Sequence, residues 1–198
     1  MKKKGKVLDV ACGYGGLMKG LQKYRKNLKF TGIDIAKSMI AVGRKYIANK
    51  KINFDLMSAD NINFENESFD YVICKDSFHH FKNPAQGMKE LLSLVKNGGT
   101  LYIYDLTRDA PLKQIARRLN TFEAEHEKKR FLASINASLT LAEMRELLRK
   151  IGITKFQYFY PLHFSKRNLK NHRSWIKKDK TKEHTFHTLS RIYLIKKP

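Results

Sequence analysis

A chain of 198 residues with 42% hydrophobic and 11% aromatic content can bury a core and is not a disordered polymer; one domain over residues 1–198 is expected. Two cysteines, Cys12 and Cys74, exclude a disulfide framework and, lacking ligand-like spacing, a zinc site; no metal is expected. No apolar run reaches the ~18 residues of a spanning helix and MKKKGKVLDV lacks the apolar stretch of a signal peptide, so the expected compartment is the cytoplasm.

The formal net charge of +22 has two readings. One is a polyanionic partner, such as RNA, DNA or an acidic membrane face. The other is a Lys-rich proteome, and the basic residues are indeed mostly Lys and spread along the chain.

In chain order, short apolar runs alternate with helical patterns, the signature of a parallel α/β sheet. The strands fall at 7–10, 29–33, 53–58, 69–74 and 100–105. A helix at about 15–24 carries Leu17, Met18 and Leu21 on one face. A second at 37–49 has Met39, Ile40, Val42 and Ile47 as its apolar positions. A third has Asn83 as N-cap, Pro84 at its first position, Gln86 to close a capping box, and Gly98-Gly99 as its terminator. Residues 107–138 are polar and helical in pattern. They follow a strand's carboxyl end, which predicts a cap over that edge of the sheet. Thr140 and Glu143 form a capping-box pattern before LAEMRELLRKIG, closed by Gly152. Residues 154–160 and 187–195 read as strands. Between them, 164–183 holds eight Lys or Arg against two acids, with His172 and Trp175 interleaved, and reads as a basic insertion in a hairpin.

The most informative stretch is VLDVACGYGGL, residues 7–17. A loop that follows a first parallel strand and opens a helix presents N–H groups and a positive helix end to a ligand. Gly13 and Gly15 fit a dinucleotide fingerprint, but its third glycine is replaced by Met18, and the third glycine serves tight helix–strand packing. The loop lacks the G-K-[ST] ending of a P-loop, which excludes triphosphate binding by that route. Asp34 ends the second strand about 20 residues on, the place of a ribose-binding acid. Asp60, in MSADNINF, follows the third strand, where a carboxylate can accept from an adenine amino group. Ile35 and Ile62 can sandwich the purine. Together these ask for adenosine with free ribose hydroxyls and a short charged tail at Gly13–Gly16. Taken singly, Asp34 could cap the following helix and Asp60 could stabilise a turn.

With VLDVACGYGG, GIDIAKSMI, SADNINFENESFDYVIC and NGGTLYIYDL in that order, residues 6–106 resemble the class I S-adenosylmethionine (SAM)-dependent methyltransferases. SFHHFKNP and DVACG bring the chain nearest to the small-molecule group that includes the quinone-biosynthesis C-methyltransferases. The resemblance implies a Rossmann-like, doubly wound sheet of seven strands, mostly parallel with the last strand antiparallel. It implies SAM as cofactor, held by Asp9, Ala11, Gly13, Gly15, Gly16, Asp34, Ile35, Asp60, Asn61, Ile62 and Lys75. Ala11 stands where the family has its first glycine, and Asp9 is expected to orient the loop through backbone or water contacts. The sulfonium is already activated, so no metal is needed to make the methyl electrophilic.

Methyl transfer is an in-line displacement in which positioning matters most. The segment KDSFHHF lies where the family places residues beside the methyl group, making His79 and His80 the candidate proton acceptors, with Lys75 and Asp76 beside them. KDSFHH does not resemble the motif of base amino-group enzymes, and Cys74 lies inside a strand pattern, unlike the nucleophile of carbon-5 cytosine enzymes. The cap at 107–138 offers Arg108, Arg117, Phe122, His126 and Phe131 to the acceptor. A small-molecule acceptor is the leading reading. The alternatives are an RNA-directed methyltransferase or RNA-binding protein using 164–183, and a SAM-binding regulatory pseudoenzyme. Oligomeric state is not indicated by the sequence.

Overall fold

The computed structural model describes residues 4–159 and 189–198. Seven strands form one sheet: β1 (Gly5–Val10), β2 (Leu28–Asp34), β3 (Ile52–Leu56), β4 (Phe69–Lys75), β5 (Val95–Leu106), β6 (Gln157–Phe159) and β7 (Ser190–Lys196). Their order is β3-β2-β1-β4-β5-β7-β6. The first five run parallel, and β7 is antiparallel to both β5 and β6. This is the doubly wound arrangement expected. The order reverses direction between β1 and β4, so the switch-point crevice opens at the carboxyl ends of those two strands.

Val7, Leu8 and Val10 are all buried because β1 is covered on both faces, the condition of a parallel sheet. Its side chains alternate between two apolar layers. Leu8 and Val10 join Val72, Cys74, Met88, Leu91, Leu101, Ile103 and Leu148. Val7 joins Met18, Leu28, Phe30, Ile40, Ile52 and Phe54 on the other face. Helices α1 (Gly16–Tyr24) and α2 (Lys37–Tyr46) supply the second layer, and α3 (Pro84–Leu94) and α6 (Leu141–Lys150) the first. Residues 107–138, expected to be helical, hold α4 (Leu112–Leu119) and α5 (Glu125–Ala137).

Several local expectations are corrected. Helix α2 ends at Tyr46, and Met39 and Val42 are exposed, not apolar contacts. The buried stripe is Ile40, Gly43 and Ile47, and positions 39 and 42 turn away from it. Gly98-Gly99 does not terminate α3. That helix stops at Leu94, and Val95 is already extended and paired with Phe69. Gly98, at φ 72°, turns the chain within β5 and donates its N–H to the Lys197 carbonyl. Asn83 caps α3 by accepting from Gln86 N–H at 3.1 Å, but the Gln86 side chain donates to Glu90, so the box stays half-closed. The Thr140–Glu143 box of α6 forms in full. Of the strand expected at 154–160, the described residues show Gln157–Phe159. The basic insertion 164–183, with His172 and Trp175, lies outside the described residues. Among the described residues no helix is long and apolar enough to cross a membrane.

Candidate cofactor and acceptor site

The loop after β1 is built on three consecutive constraints. Ala11 and Gly13 both take left-handed backbone, at φ 57° and 55°, and Gly15 follows at 87°. Cys12 N–H reaches back to the Ile33 carbonyl at 2.9 Å, tying the loop to β2. Asp34 completes the tie: its Oδ2 accepts Gly13 N–H and its Oδ1 accepts Ala36 N–H, both at 2.8 Å. One carboxylate thus joins the glycine loop to the start of α2. Helix α1 opens at Gly16 with no side-chain cap and no acid in its first turn, leaving its N-terminal N–H groups to a ligand.

The missing third glycine is explained on the facing strand. Met18 is fully buried, and its Cε lies 2.3 Å from where a Cβ on Gly32 would stand. Gly32 of β2 therefore provides the room that a glycine at position 18 would otherwise provide. Gly15 is required twice over, by its positive φ and by the Phe54 ring, which lies 2.4 Å from the position of an added Cβ.

Asp34, not Asp9, takes the loop N–H at Gly13. Asp9 is buried, and its Oδ2 has no hydrogen-bond partner among the described residues. Burial pushes its carboxyl up to about 7; Lys75 opposes the rise and Asp34 adds to it. Burial, then the nearby Asp9 and Asp34, lift the Cys12 thiol to about 12, which disfavours its thiolate.

Ile35 lies directly beyond Asp34 and is 75% exposed, a large apolar side chain at the crevice edge. Met57 N–H donates to the Asp34 carbonyl at 3.1 Å and so brings the segment after β3 to the same edge. Asp60 and Asn61 are exposed and Ile62 half-buried; the turn there is held by Ser58, through Asp60 N–H to Ser58 Oγ at 3.2 Å. A recess of about 250 Å³ lies between Asp60, Asn61 and Ile62 and the Glu90–Leu94 end of α3.

At the end of β4, Lys75 pairs with Asp76 and stands over the Tyr104 ring, 4.8 Å from its centre. The 3-10 turn Phe78–His80 follows. His79 is held by a residue that sequence reasoning missed. Asp105 of β5 accepts the His79 N–H through Oδ2 at 2.7 Å, and its Oδ1 lies 2.7 Å from Nδ1. The two side chains are 3% and 6% exposed. His80 is exposed, its ring centre 4.0 Å from that of His79. Partial burial and then His79 lower its pKa, against a smaller rise from Asp105. Helix α5 packs on this turn.

Arg191 of β7 was also missed. It is buried, and its Nη1 donates to Thr107 Oγ1 and Asp109 Oδ1, both at 2.6 Å. Thr107 Oγ1 in turn donates to the Leu139 carbonyl at 3.1 Å. The network fastens Thr107 and Asp109, at the start of the 107–138 segment, and Leu139, just past its end, to β7. Of the proposed cap residues, Arg108 binds the Asn136 carbonyl and Glu143, and Phe122 packs on Phe131.

Residues 8–103 match the model of a family described as a methyltransferase domain. Over this stretch, just under half of the chain, the sequence is similar to methyltransferase domains. Demethylmenaquinone methyltransferase of Chlorobaculum tepidum is 36% identical over 112 residues, covering 56% of this chain and 45% of that protein. Ubiquinone biosynthesis O-methyltransferase of Hydrogenovibrio crunogenus is 33% identical over 106 residues, 52% and 43% of the two chains. The match thus spans less than half the length of these curated relatives. Among solved structures, the plantazolicin methyltransferase BpumL, in complex with a triazolic desmethylPZN analog and SAH, superposes with a TM-score of 0.74 at 25% identity. That alignment covers 98% of this chain and 77% of BpumL.

The residues of this site fit SAM. The uncapped start of α1 suits a carboxylate, and the bare apolar face of Ile35 suits a purine. Each Asp34 oxygen accepts one main-chain N–H and keeps a second lone pair for a hydroxyl.

Proposed function

We propose that the protein moves a methyl group from SAM to a small-molecule acceptor. The observation that carries this reading is Asp34: it ties the Gly13 loop to α2 at the switch point, directly beside the exposed Ile35. In this reading the N–H groups at Gly13, Gly15 and Gly16 take the carboxylate of the methionine end. Ala11 lets the ligand approach closely. Asp34 takes the ribose hydroxyls. Ile35 and Ile62 enclose the purine, with Asp60 and Asn61 at its amino edge, and Lys75 sets the local field together with Asp9. SAM supplies a methyl on a sulfonium, a leaving group already activated. The chain's own residues bind, orient and remove a proton.

A small-molecule acceptor is supported by the relatives, whose names refer to demethylmenaquinone, ubiquinone biosynthesis and plantazolicin. Calorimetry with SAM and SAH, followed by labelled-methyl transfer to a small-molecule fraction and to RNA, tests the reading. Micromolar binding and label in the small-molecule fraction are expected. No SAM binding, or label in RNA alone, would overturn it.

A further inference from the structure

Helix α4 has the apolar stripe of a core helix without its burial. Leu112, Ile115 and Leu119 recur at the i, i+3, i+7 spacing of one face, and such a face normally turns onto a core. No residue of α4 is buried. The stripe belongs to neither apolar layer of the sheet. Leu112 is 83% exposed, more than any other large apolar side chain of the described residues. A lone exposed leucine needs no explanation, but a whole stripe left out of both core layers asks for a partner.

The other side of the helix is basic. Lys113, Arg117 and Arg118 are exposed, and α4 holds no acid. None of the three cations forms an ion pair among the described residues. Arg118 lies over the Phe122 ring, 4.7 Å from its centre. The helix is also held out from a fixed base. Ala110 is buried just ahead of it, and Arg191 ties Thr107 and Asp109 to β7. Strand β5 leads into this segment and ends at the carboxyl edge of the sheet, where the crevice opens.

An apolar stripe flanked by cations fits one surface above others. An anionic bilayer offers headgroup phosphates to Lys and Arg, and an acyl boundary to apolar side chains lying slightly deeper. RNA would satisfy the three cations but has no place for Leu112, which neither stacks nor hydrogen-bonds. The net charge of +22 favours the same encounter at long range.

We infer that α4 is an interfacial helix that docks the protein on an anionic lipid bilayer. Leu112 enters the acyl boundary first, with Ile115 and Leu119 behind it, and Lys113, Arg117 and Arg118 meet the headgroup phosphates. The crevice edge of the sheet then stands next to the lipid. So short a helix carries little apolar area, so the docking is reversible and weakens with salt. It needs no cofactor and stands apart from the reading that the crevice holds SAM.

Co-sedimentation of the full chain with vesicles of phosphatidylglycerol and phosphatidylcholine in equal parts, and of phosphatidylcholine alone, measures the docking. Binding to the anionic vesicles should exceed that to the neutral ones by about tenfold or more, and fall as salt rises. Lys113→Gln/Arg117→Gln/Arg118→Gln should reduce partitioning about a hundredfold, and Leu112→Gln about tenfold. All four side chains are exposed, so both variants should melt with the wild type. Lys23→Gln/Lys26→Gln/Lys29→Gln removes the same charge at the opposite edge of the sheet and should change partitioning by no more than about threefold. Hydrogen exchange of the wild-type chain needs no variant, and anionic vesicles should slow it within Leu112–Leu119.

No co-sedimentation with anionic vesicles overturns the inference. So does unchanged partitioning of either α4 variant, an equal loss in the Lys23, Lys26 and Lys29 variant, or slowed exchange only outside Leu112–Leu119. Binding of an RNA oligonucleotide that the triple α4 variant abolishes, without vesicle binding, overturns it in favour of nucleic acid. A dimer in sedimentation velocity that Leu112→Gln disperses, without vesicle binding, overturns it in favour of a second copy of the chain.

Discussion

The Asp34 carboxylate bridges two backbone donors on separate segments, Gly13 N–H and Ala36 N–H, at 2.8 Å each. It organises the loop and is also the proposed ribose ligand, so the two roles need separate readouts. Asp34→Ala should lose about 1–3 kcal/mol of stability, the scale of hydrogen bonds to a charged group, and reduce SAM affinity at least tenfold. Asp34→Asn should recover part of the stability and little of the affinity. Chemical denaturation and calorimetry on both variants check this. A stability loss with unchanged SAM affinity would leave Asp34 with the loop role only.

Ile35 permits a cleaner test, because its side chain is 75% exposed and contributes little to the fold. Ile35→Ala should leave the melting temperature within a degree or two while weakening SAM several-fold, as the loss of an apolar face against a purine requires. Ile35→Ser should weaken it further. Affinity equal to the wild type in both would remove this residue from the site.

Ala11 occupies left-handed backbone at φ 57°, a conformation that favours glycine. For an L-residue this conformation costs roughly 1–2 kcal/mol, while glycine adopts it freely but loses more entropy on folding. Ala11→Gly should therefore be neutral or stabilising by up to about 1 kcal/mol. Ala11→Val, β-branched at the same φ, should destabilise by more than about 1 kcal/mol. A denaturant midpoint for Ala11→Gly well below that of the wild type would show that the strain is already relieved.

What could be read from the sequence was what local chemistry encodes. The loop was legible because glycines mark positive φ. The Thr140–Glu143 box was legible because both partners lie within one turn. The strands were legible through their apolar runs, while the antiparallel last strand followed from the resemblance and not from any run. Asp105 and Arg191 were hidden because their partners are remote, 26 residues away for His79 and 84 for Thr107. No local pattern distinguishes an Asp ending a strand from one that holds a histidine. Gly98-Gly99 misled for the opposite reason: a helix terminator and a turn inside a long strand have the same composition. Met39 and Val42 misled because apolar spacing on α2 admits two stripes, and only the tertiary contacts select Ile40 and Ile47.

Gly32 and Met18 should be energetically coupled. A methyl at position 32 would meet Met18 Cε at 2.3 Å and Cys12 Sγ at 2.7 Å. Gly32→Ala is expected to cost about 1–3 kcal/mol through overpacking beneath the cofactor loop. Met18→Ala alone leaves a cavity and should cost about 2–5 kcal/mol. The double variant should be more stable than the sum of the two predicts, by at least about 0.5 kcal/mol. A strictly additive double-mutant cycle would mean that the Met18 side chain moves aside freely. The exchange of a helix glycine for a strand glycine would then lose its steric basis.

Asp9 gives the stability a pH dependence of unusual sign for an aspartate. Its carboxyl titrates at 3.8 when free and at about 7 in the fold, because burial penalises the charged form more than Lys75 favours it. Between those values the folded chain holds a proton that the unfolded chain has released. Stability should therefore fall as pH rises through this window, with the full stability present below the unfolded value and the loss complete above about 7. The shift corresponds to roughly 4 kcal/mol at most. Asp9→Asn places a neutral isostere at the same site, so it should match the wild type at low pH and exceed it above about 7. Denaturant unfolding at about pH 4 and about pH 8 measures both slopes. If the wild type and Asp9→Asn change in parallel between the two, Asp9 is ionised in the fold throughout, and its buried Oδ2 must find a partner that offsets the cost of burial.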